Sequence, residues 1–282
     1  MRHVNTINVG YEDATEIELH YVDCGAGRPV VFIHGWPIGS LSWEKQIAAV
    51  CGAGYRAIAY DRRGFGESSQ PDTGYDFDTF AEDLHQIITT LDLRDITLVG
   101  FAMGCGEVSR YLGTYGAERV RSAVFISALP PFLLKTDDNP FGLQMTSIDQ
   151  FWNRLIGDRA AFLQGFLIEF CGSTDSDLPG DDDALLRNLQ AEIESSSVAA
   201  LHCVATWLTD FRDDLHRISI PTLILHGDDD PLMPLESTAM PLADSIGASR
   251  LEIFTGAMHG LPWTRAKLVN SLLLEFLHAR IA

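Results

Sequence analysis

Two stretches of the chain place residues of acid–base character directly behind short apolar runs. In "TLILHGDDDPLMP" the run ends at Gly227 and Asp228, Asp229 and Asp230 follow, with Pro234 beyond them; in "LEIFTGAMHGLPW" His259 sits in the loop after another such run. A carboxylate that orients an imidazole, and an imidazole that moves a proton, are the two halves of a general base. A third stretch, "DITLVGFAMGCGEVSRYLGTYG", passes from an apolar strand through glycines into a helical pattern. Its layout is G-x-[nucleophile]-x-G, in which a tight bend presents one side chain above the strand end, and that position is Ala102. Gly100 and Gly104 suit such a bend because a side chain at either would strike the neighbouring strand or helix. The helix that follows aims its first N–H groups at the same spot.

Each stretch alone has a plainer reading. Three aspartates after a strand make a solvated loop, or a calcium site, although no oxygen-ligand spacing accompanies them. A lone histidine is most simply a packed or surface residue, and glycines ahead of a helix serve close packing. A dinucleotide-binding turn would need G-x-G-x-x-G, whereas the count from Gly100 meets Ala102 and Cys105. The plainer readings leave the joint order unexplained: nucleophile position, acid, histidine, each just past a strand, in the Ser…Asp…His order of one hydrolase architecture. "VVFIHGWPIGSLSWEKQ" adds a fourth part, with His34, Gly35 and Trp36 directly behind a strand. The N–H of Trp36 and that of Met103 would make a two-donor oxyanion site, in which one donor contributes about 3 to 4 kcal/mol in hydrolases. His34 itself reads as structural, bonding loop backbone.

The elements that must hold these parts are visible as apolar, β-branched runs: "IELHYVDCG", "PVVFIHG", "YRAIAYD", "ITLVG", "SAVFISA", "PTLILHG" and "RLEIFTG". Most end at glycine or aspartate, and from the third onward segments of helical spacing separate them. That alternation predicts an α/β fold, a mostly parallel central sheet flanked by helices. Residues 78–92, "DTFAEDLHQIITTLD", read as one covering helix with Asp78 at its start, and residues 47–52 as part of another. Between Leu129 and Arg217 the alternation stops: the prolines of "LPPFLLKTDDNPFG" lead into aromatic-rich helical segments with no β run among them. Residues 1–128 and 218–282 are therefore expected to form the core, and 129–217 a helical cap inserted over one sheet edge. The acidic run Asp181–Asp183 reads as a solvated loop.

The 282 residues suffice for one large core with such an insertion. A formal charge of −19 and a pI near 4.7 repel nucleic acid and anionic membrane over most of the surface, so neither is expected as a partner. Five cysteines, odd in number and without a CxxC pair, suggest neither disulfides nor zinc; reduced thiols in a cytoplasm fit. The first residues show no apolar run of the kind a leader has, and no apolar run is long enough to predict a membrane span, so a soluble, unexported protein is expected. The expected partner is a small-molecule substrate, with no metal and no cofactor; a homo-oligomer is left open.

In "HGWPIGSLSWEKQ", "YDRRGFGESSQP", "DLRDITLVGFAMGCGEVSRY", "TDFRDDLHRISIPTLILHGDDDPLMP" and "GAMHGL" the chain resembles the α/β-hydrolases, and within that fold the cofactor-free (non-haem) bacterial haloperoxidases and their esterase and γ-lactamase relatives. The likeness covers almost the whole chain and thins in the insertion, which corresponds to that group's variable cap. It implies a nucleophile position at Ala102, an acid at Asp230 with Asp228 as the weaker candidate, a base at His259 and oxyanion donors at Trp36 and Met103. It implies hydrolysis of a small ester, lactone or cyclic amide without metal or haem, and in the haloperoxidases peroxide in place of water. Two residues depart from the group's pattern G-F-S-M-G-G-G-E: Ala102 stands for the serine and Cys105 for a glycine.

Serine to alanine removes one oxygen and the proton that His259 would take, and leaves the rest of the motif untouched. The expectation is an engineered knock-out of a serine hydrolase. Three other readings stay open from the sequence: Cys105 as substitute nucleophile, water activated directly by His259, and a non-catalytic ligand-binding protein on the same fold. For the substrate, the aromatic residues of the insertion are the guide. Phe132, Phe141, Trp152 and Trp207 are expected to face the cleft, out of a set that also holds Phe151, Phe162, Phe166 and Phe170, and they suit a modest apolar acyl or ring group.

Overall fold

All seven apolar runs form strands, and an eighth strand precedes them. In a computed structural model that describes residues 3–171, 183–196 and 203–279, β1 (His3–Glu12) pairs antiparallel with β2 (Thr15–Gly25). The sequence hides β1 because it is an edge strand: between residues 5 and 12 only Ile7 is buried, so the apolar signal is nearly absent. β3 (Pro29–Ile33) and β4 (Arg56–Tyr60) lie side by side in parallel, and β2 joins β4 antiparallel. β5 (Ile96–Phe101), β6 (Val120–Ile126), β7 (Thr222–Gly227) and β8 (Ser249–Phe254) continue the parallel part, giving the order β1-β2-β4-β3-β5-β6-β7-β8. Every residue of β5 and β7 is buried. A parallel strand covered on both faces reads as an unbroken apolar run, which is how both appear in the sequence.

Helices α1 (Glu44–Gly52), α2 (Phe77–Thr90) and α3 (Met103–Tyr115) fall between the first six strands. The start of α2 corrects the sequence reading. Asp76, in extended backbone, accepts the N–H of Thr79 at 2.9 Å and is the cap, while Asp78 lies inside the first turn.

Between β6 and β7 the chain runs through α4 (Met145–Gly157), α5 (Arg159–Cys171) and α6 (Asp183–Ser195), a 3-10 turn (Cys203–Leu208) and α7 (Arg212–Leu215). Asp181 and Asp182 of the acidic run, residues 197–202 of the last helical segment and the side chain of Phe170 lie outside the described residues. After β7 come α8 (Ala239–Ser245), α9 (Leu261–Thr264) and α10 (Ala266–His278). No helix among the described residues is long and apolar enough to cross a membrane.

Parallel strands end on a common edge, and this is what gathers the chemistry. In register, Ile33 pairs with Gly100, Gly100 with Phe125, Ile126 with Leu225 and Gly227 with Phe254. The segments that leave β3, β5, β6, β7 and β8 carry His34–Trp36, Ala102, Ser127, Asp230 and His259.

Candidate active site

Ala102 is the pivot of the bend between β5 and α3. Its backbone is at φ 49° and ψ −113°, a conformation that costs a non-glycine residue on the order of 1–3 kcal/mol. Three backbone bonds hold it there: its N–H donates to Ile126 O at 2.9 Å, and its carbonyl accepts from Cys105 N at 3.0 Å and Leu129 N at 3.3 Å. The flanking glycines are sterically required. A Cβ on Gly104 would lie 2.3 Å from the carbonyl oxygen of Ile33, and one on Gly100 2.9 Å from the backbone of Cys105. A Cβ on Gly35 would come within 3.2 Å of the Ala102 methyl, so the side chain at 102 faces the loop that carries Trp36. Met103 is the first residue of α3, where N–H groups have no intrahelical acceptor.

Of the three aspartates, Asp230 is the one that meets His259. His259 Nδ1 donates to Asp230 Oδ2 at 2.6 Å, and both side chains are buried. The other oxygen of Asp230 accepts the N–H groups of Leu232 at 3.0 Å and Met233 at 2.9 Å, so the carboxyl group is fixed in direction. Asp228 and Asp229 are exposed, and Asp228 accepts the N–H of Gly256 at 2.6 Å, bracing the loop after β8. His226 Nε2 donates to Met233 O at 2.7 Å; burial pushes its pKa down, which keeps a second positive charge away from Asp230.

Two supports of His259 carried no sequence signal. Ser127, at φ 48°, donates its hydroxyl to the carbonyl of His259 at 2.8 Å. Phe101, the residue before Ala102, packs tilted against the His259 ring at 5.1 Å and edge to face against Trp263 at 5.2 Å. The acid–base pair and the bend therefore share one packed aromatic wall.

His34 is locked into a different part. Its Nδ1 donates to Gly35 O at 2.7 Å and its Nε2 accepts the N–H of Arg62 at 2.9 Å, an arrangement only the neutral ring can make. Burial, then the charge of Arg62, pushes its pKa down to about 3. Arg62 also reaches His34 O at 2.9 Å and Glu107 Oε2 at 2.8 Å, while Tyr60 donates to the other Glu107 oxygen. Glu107 stands on α3 one turn beyond Met103, so this buried network ties the first turn of α3 to the ends of β3 and β4.

Cys105 is not placed to act as a nucleophile. It is fully buried, its thiol lies 3.6 Å from Ile126 O, and burial pushes its pKa far above the ordinary thiol range. A thiol that stays protonated and faces the core is a packing residue.

The Trp36 ring stands on Phe166 at 5.3 Å and Trp207 at 5.4 Å, both edge to face. Beside them opens a cavity of about 310 Å³ lined by Leu133, Ile148, Phe151, Trp207 and Leu232, with Ser147, Gln150 and Arg154 as its polar members. Of the four aromatic residues expected to face the cleft, Trp207 lines this cavity and three do not. Phe141 is 68% exposed. Phe132 lies under the guanidinium of Arg212, which Asp138 and Asp210 hold at the surface. Trp152 follows Phe151 on α4, and one residue of helix is about 100° of rotation, enough to turn it off the cavity wall.

The family model of the alpha/beta hydrolase fold matches residues 28–266, a span that takes in every loop of this site. The chain belongs to the alpha/beta hydrolase family. A putative non-heme chloroperoxidase of Synechocystis sp. is 50% identical over 274 residues, covering 96% of this alpha/beta hydrolase and 99% of the relative. The crystal structure of bromoperoxidase from Bacillus anthracis superposes with a TM-score of 0.92 at 43% identity, over 98% of this chain and 100% of that one. An esterase from Exiguobacterium antarcticum gives 0.87 at 30% identity, over 94% and 97%. Relatives of these names place this alpha/beta hydrolase among the hydrolase-type enzymes of the family.

Proposed function

We propose that the chain is a serine-hydrolase scaffold for a small apolar ester, lactone or cyclic amide, with the nucleophile oxygen absent at Ala102. The observation that carries the reading is the bend itself. A non-glycine residue is kept in strained backbone, its side chain turned to the Trp36 loop, with a buried Asp230–His259 pair held on the same sheet edge. A glycine would relieve the strain, so the geometry favours a site built to present a side chain at 102.

With serine at that position the steps are these. His259, held in one tautomer by Asp230, takes the hydroxyl proton as the oxygen attacks the carbonyl carbon. The carbonyl oxygen becomes an oxyanion, and the N–H groups of Trp36 and Met103 stabilise it. His259 returns the proton to the leaving group, and water, activated by the same imidazole, releases the acid from the acyl-serine. Hydrogen peroxide in the place of water gives a peracid; oxidation of a halide by that peracid returns the carboxylic acid. In the present chain the sequence stops after substrate binding.

The apolar cavity beside Trp36 is of the volume that small-molecule sites have, and it supports a modest acyl or ring group. The described residues between β6 and β7 supply most of its lining, which supports the reading of this segment as a cap. The intact surroundings of Ala102 favour a single exchange, engineered or recent, over long drift, since drift would also have touched Asp230, His259 or the bend. The four described cysteines are free thiols, which supports a cytoplasmic setting. The test is an Ala102→Ser exchange assayed against aryl esters, lactones and cyclic amides with and without peroxide. Hydrolysis should exceed that of the parent by at least roughly 10³-fold. A folded variant that binds these compounds and turns over none of them overturns the proposal.

A further inference from the structure

The loop that carries Trp36 is gripped by carboxylates from two sides. Asp61, at the end of β4, accepts the N–H of Ser40 at 2.6 Å. Glu192, on α6, accepts the N–H of Gly39 at 3.0 Å and of Leu41 at 3.4 Å. Just past the end of that helix, Ser196 donates its hydroxyl to the carbonyl of Pro37 at 3.2 Å. Gly39 is glycine for a steric reason: a Cβ there would lie 2.8 Å from an oxygen of Asp61 and 2.8 Å from one of Glu192. One end of a helix from the insertion thus holds residues 37–41, the segment that continues directly from Trp36.

We infer that Glu192 is a positioning residue: ionised, it accepts the amides of Gly39 and Leu41 and keeps the Trp36 N–H aligned with that of Met103, and protonated, it lets the loop relax. The inference rests on the reading of Trp36 as an oxyanion donor. It gives the cap a role in the reaction that no apolar lining provides, because α6 would set the geometry of a donor that belongs to the sheet edge.

A carboxylate accepts on both oxygens, whereas the acid must spend one of them as a donor. Which form is present is decided by the surroundings. Burial, then the charge of Asp61, pushes Glu192 up to about 7, against the pull of the two amides. The titratable groups beside it include His20 of β2, whose Nδ1 lies 2.9 Å from Asp61, and Glu67, 3.8 Å from His20 Nε2. A cavity of about 420 Å³ lined by His20, Asp61, Glu67, Asn188 and Glu192 opens beside them and gives protons a path to the carboxyl.

The sign separates positioning from plain structural support. A carboxyl raised in the fold favours its neutral form there, so ionising Glu192 costs stability as pH climbs through about 7 while it tightens the loop. Glu192→Gln mimics the neutral acid. In the Ala102→Ser background it should lower kcat roughly ten-fold near pH 8, with KM held within about two-fold. Log kcat should also rise with pH with one proton fewer in its dependence. The Glu192→Gln protein should melt no lower than its parent at that pH, and Glu192→Asp should restore part of the missing proton dependence.

Unchanged kcat and an unchanged pH profile in Glu192→Gln would overturn the inference. If the Ala102→Ser protein hydrolyses nothing, the functional reading has failed, and the latch is measured in the unmodified chain by amide hydrogen exchange. Protection of Gly39 and Leu41, corrected for intrinsic rates, should then be greater near pH 8 than near pH 6 and be lost in Glu192→Gln. Equal protection in both proteins would show that no latch exists.

Discussion

Two of the buried histidines, His34 and His259, follow the ends of parallel strands and meet opposite partners. His34, after β3, has both ring nitrogens committed to backbone and is held neutral beside the Arg62 guanidinium. His259, after β8, sets one nitrogen on the carboxylate of Asp230 and rests its ring on Phe101. Burial is the same for both; the partner differs. A cation beside a buried imidazole removes it from proton chemistry, and a buried anion stabilises the imidazolium that a base must become. Histidine at a strand end is therefore not in itself a sign of catalysis. The partner of its second nitrogen decides.

Exchanging the partners should break this contrast in measurable ways. Among the largest effects is that of Asp230→Asn in the Ala102→Ser background, where loss of the orienting carboxylate should lower kcat about 10⁴-fold with the fold retained. Next comes a pair of exchanges in that background. His259→Gln should lower kcat at least as far with the fold retained, at about 1–3 kcal/mol in unfolding free energy, because the buried Asp230 carboxyl loses its 2.6 Å partner while the Ser127 bond, made to the backbone, stays. His34→Leu should cost about 2–4 kcal/mol in urea denaturation, since it strands the buried Arg62 N–H and Gly35 carbonyl.

Acid should act on His34 as well. Its pKa is depressed in the fold, so its contribution to stability is complete above the ordinary 6.5 and is lost as pH falls from there toward about 3. The His34→Leu protein should show a flatter decline over that window in thermal unfolding. The smallest effect is at the bend. Ala102→Gly should raise stability by about 1 kcal/mol, the strain of a Cβ at positive φ being removed; a loss instead would mean that the bend is not strained.

The two histidines also mark how far the sequence could be read. Asp230, His259 and the bend at Ala102 were legible because each lies within a few residues of a strand end, and the parallel sheet brings strand ends together. The triple aspartate stayed ambiguous until the fold showed which carboxylate turns inward. Ser127, Phe101 as a wall and Glu107 as the anchor of Arg62 depend on partners far along the chain, and no local pattern announces them. The same holds for Glu192, which reaches across from α6 to Gly39. Among the described aromatic residues between β6 and β7, spacing did not show which face lines the cavity, since Phe151 does and Trp152 does not, and the segment around Trp207, expected to be helical, is a 3-10 turn where described. Asp76 takes the capping role expected of Asp78 because the backbone turns extended two residues earlier.

The proposed site lacks one oxygen and nothing else. Intact-protein mass spectrometry of the Ala102→Ser variant, quenched within the first turnover of an aryl ester, tests it most directly. One acyl group per chain, mapped to position 102, should appear with a burst of the phenol and be absent from the parent protein. A folded variant that carries no acyl group and releases no more phenol than its parent would contradict it.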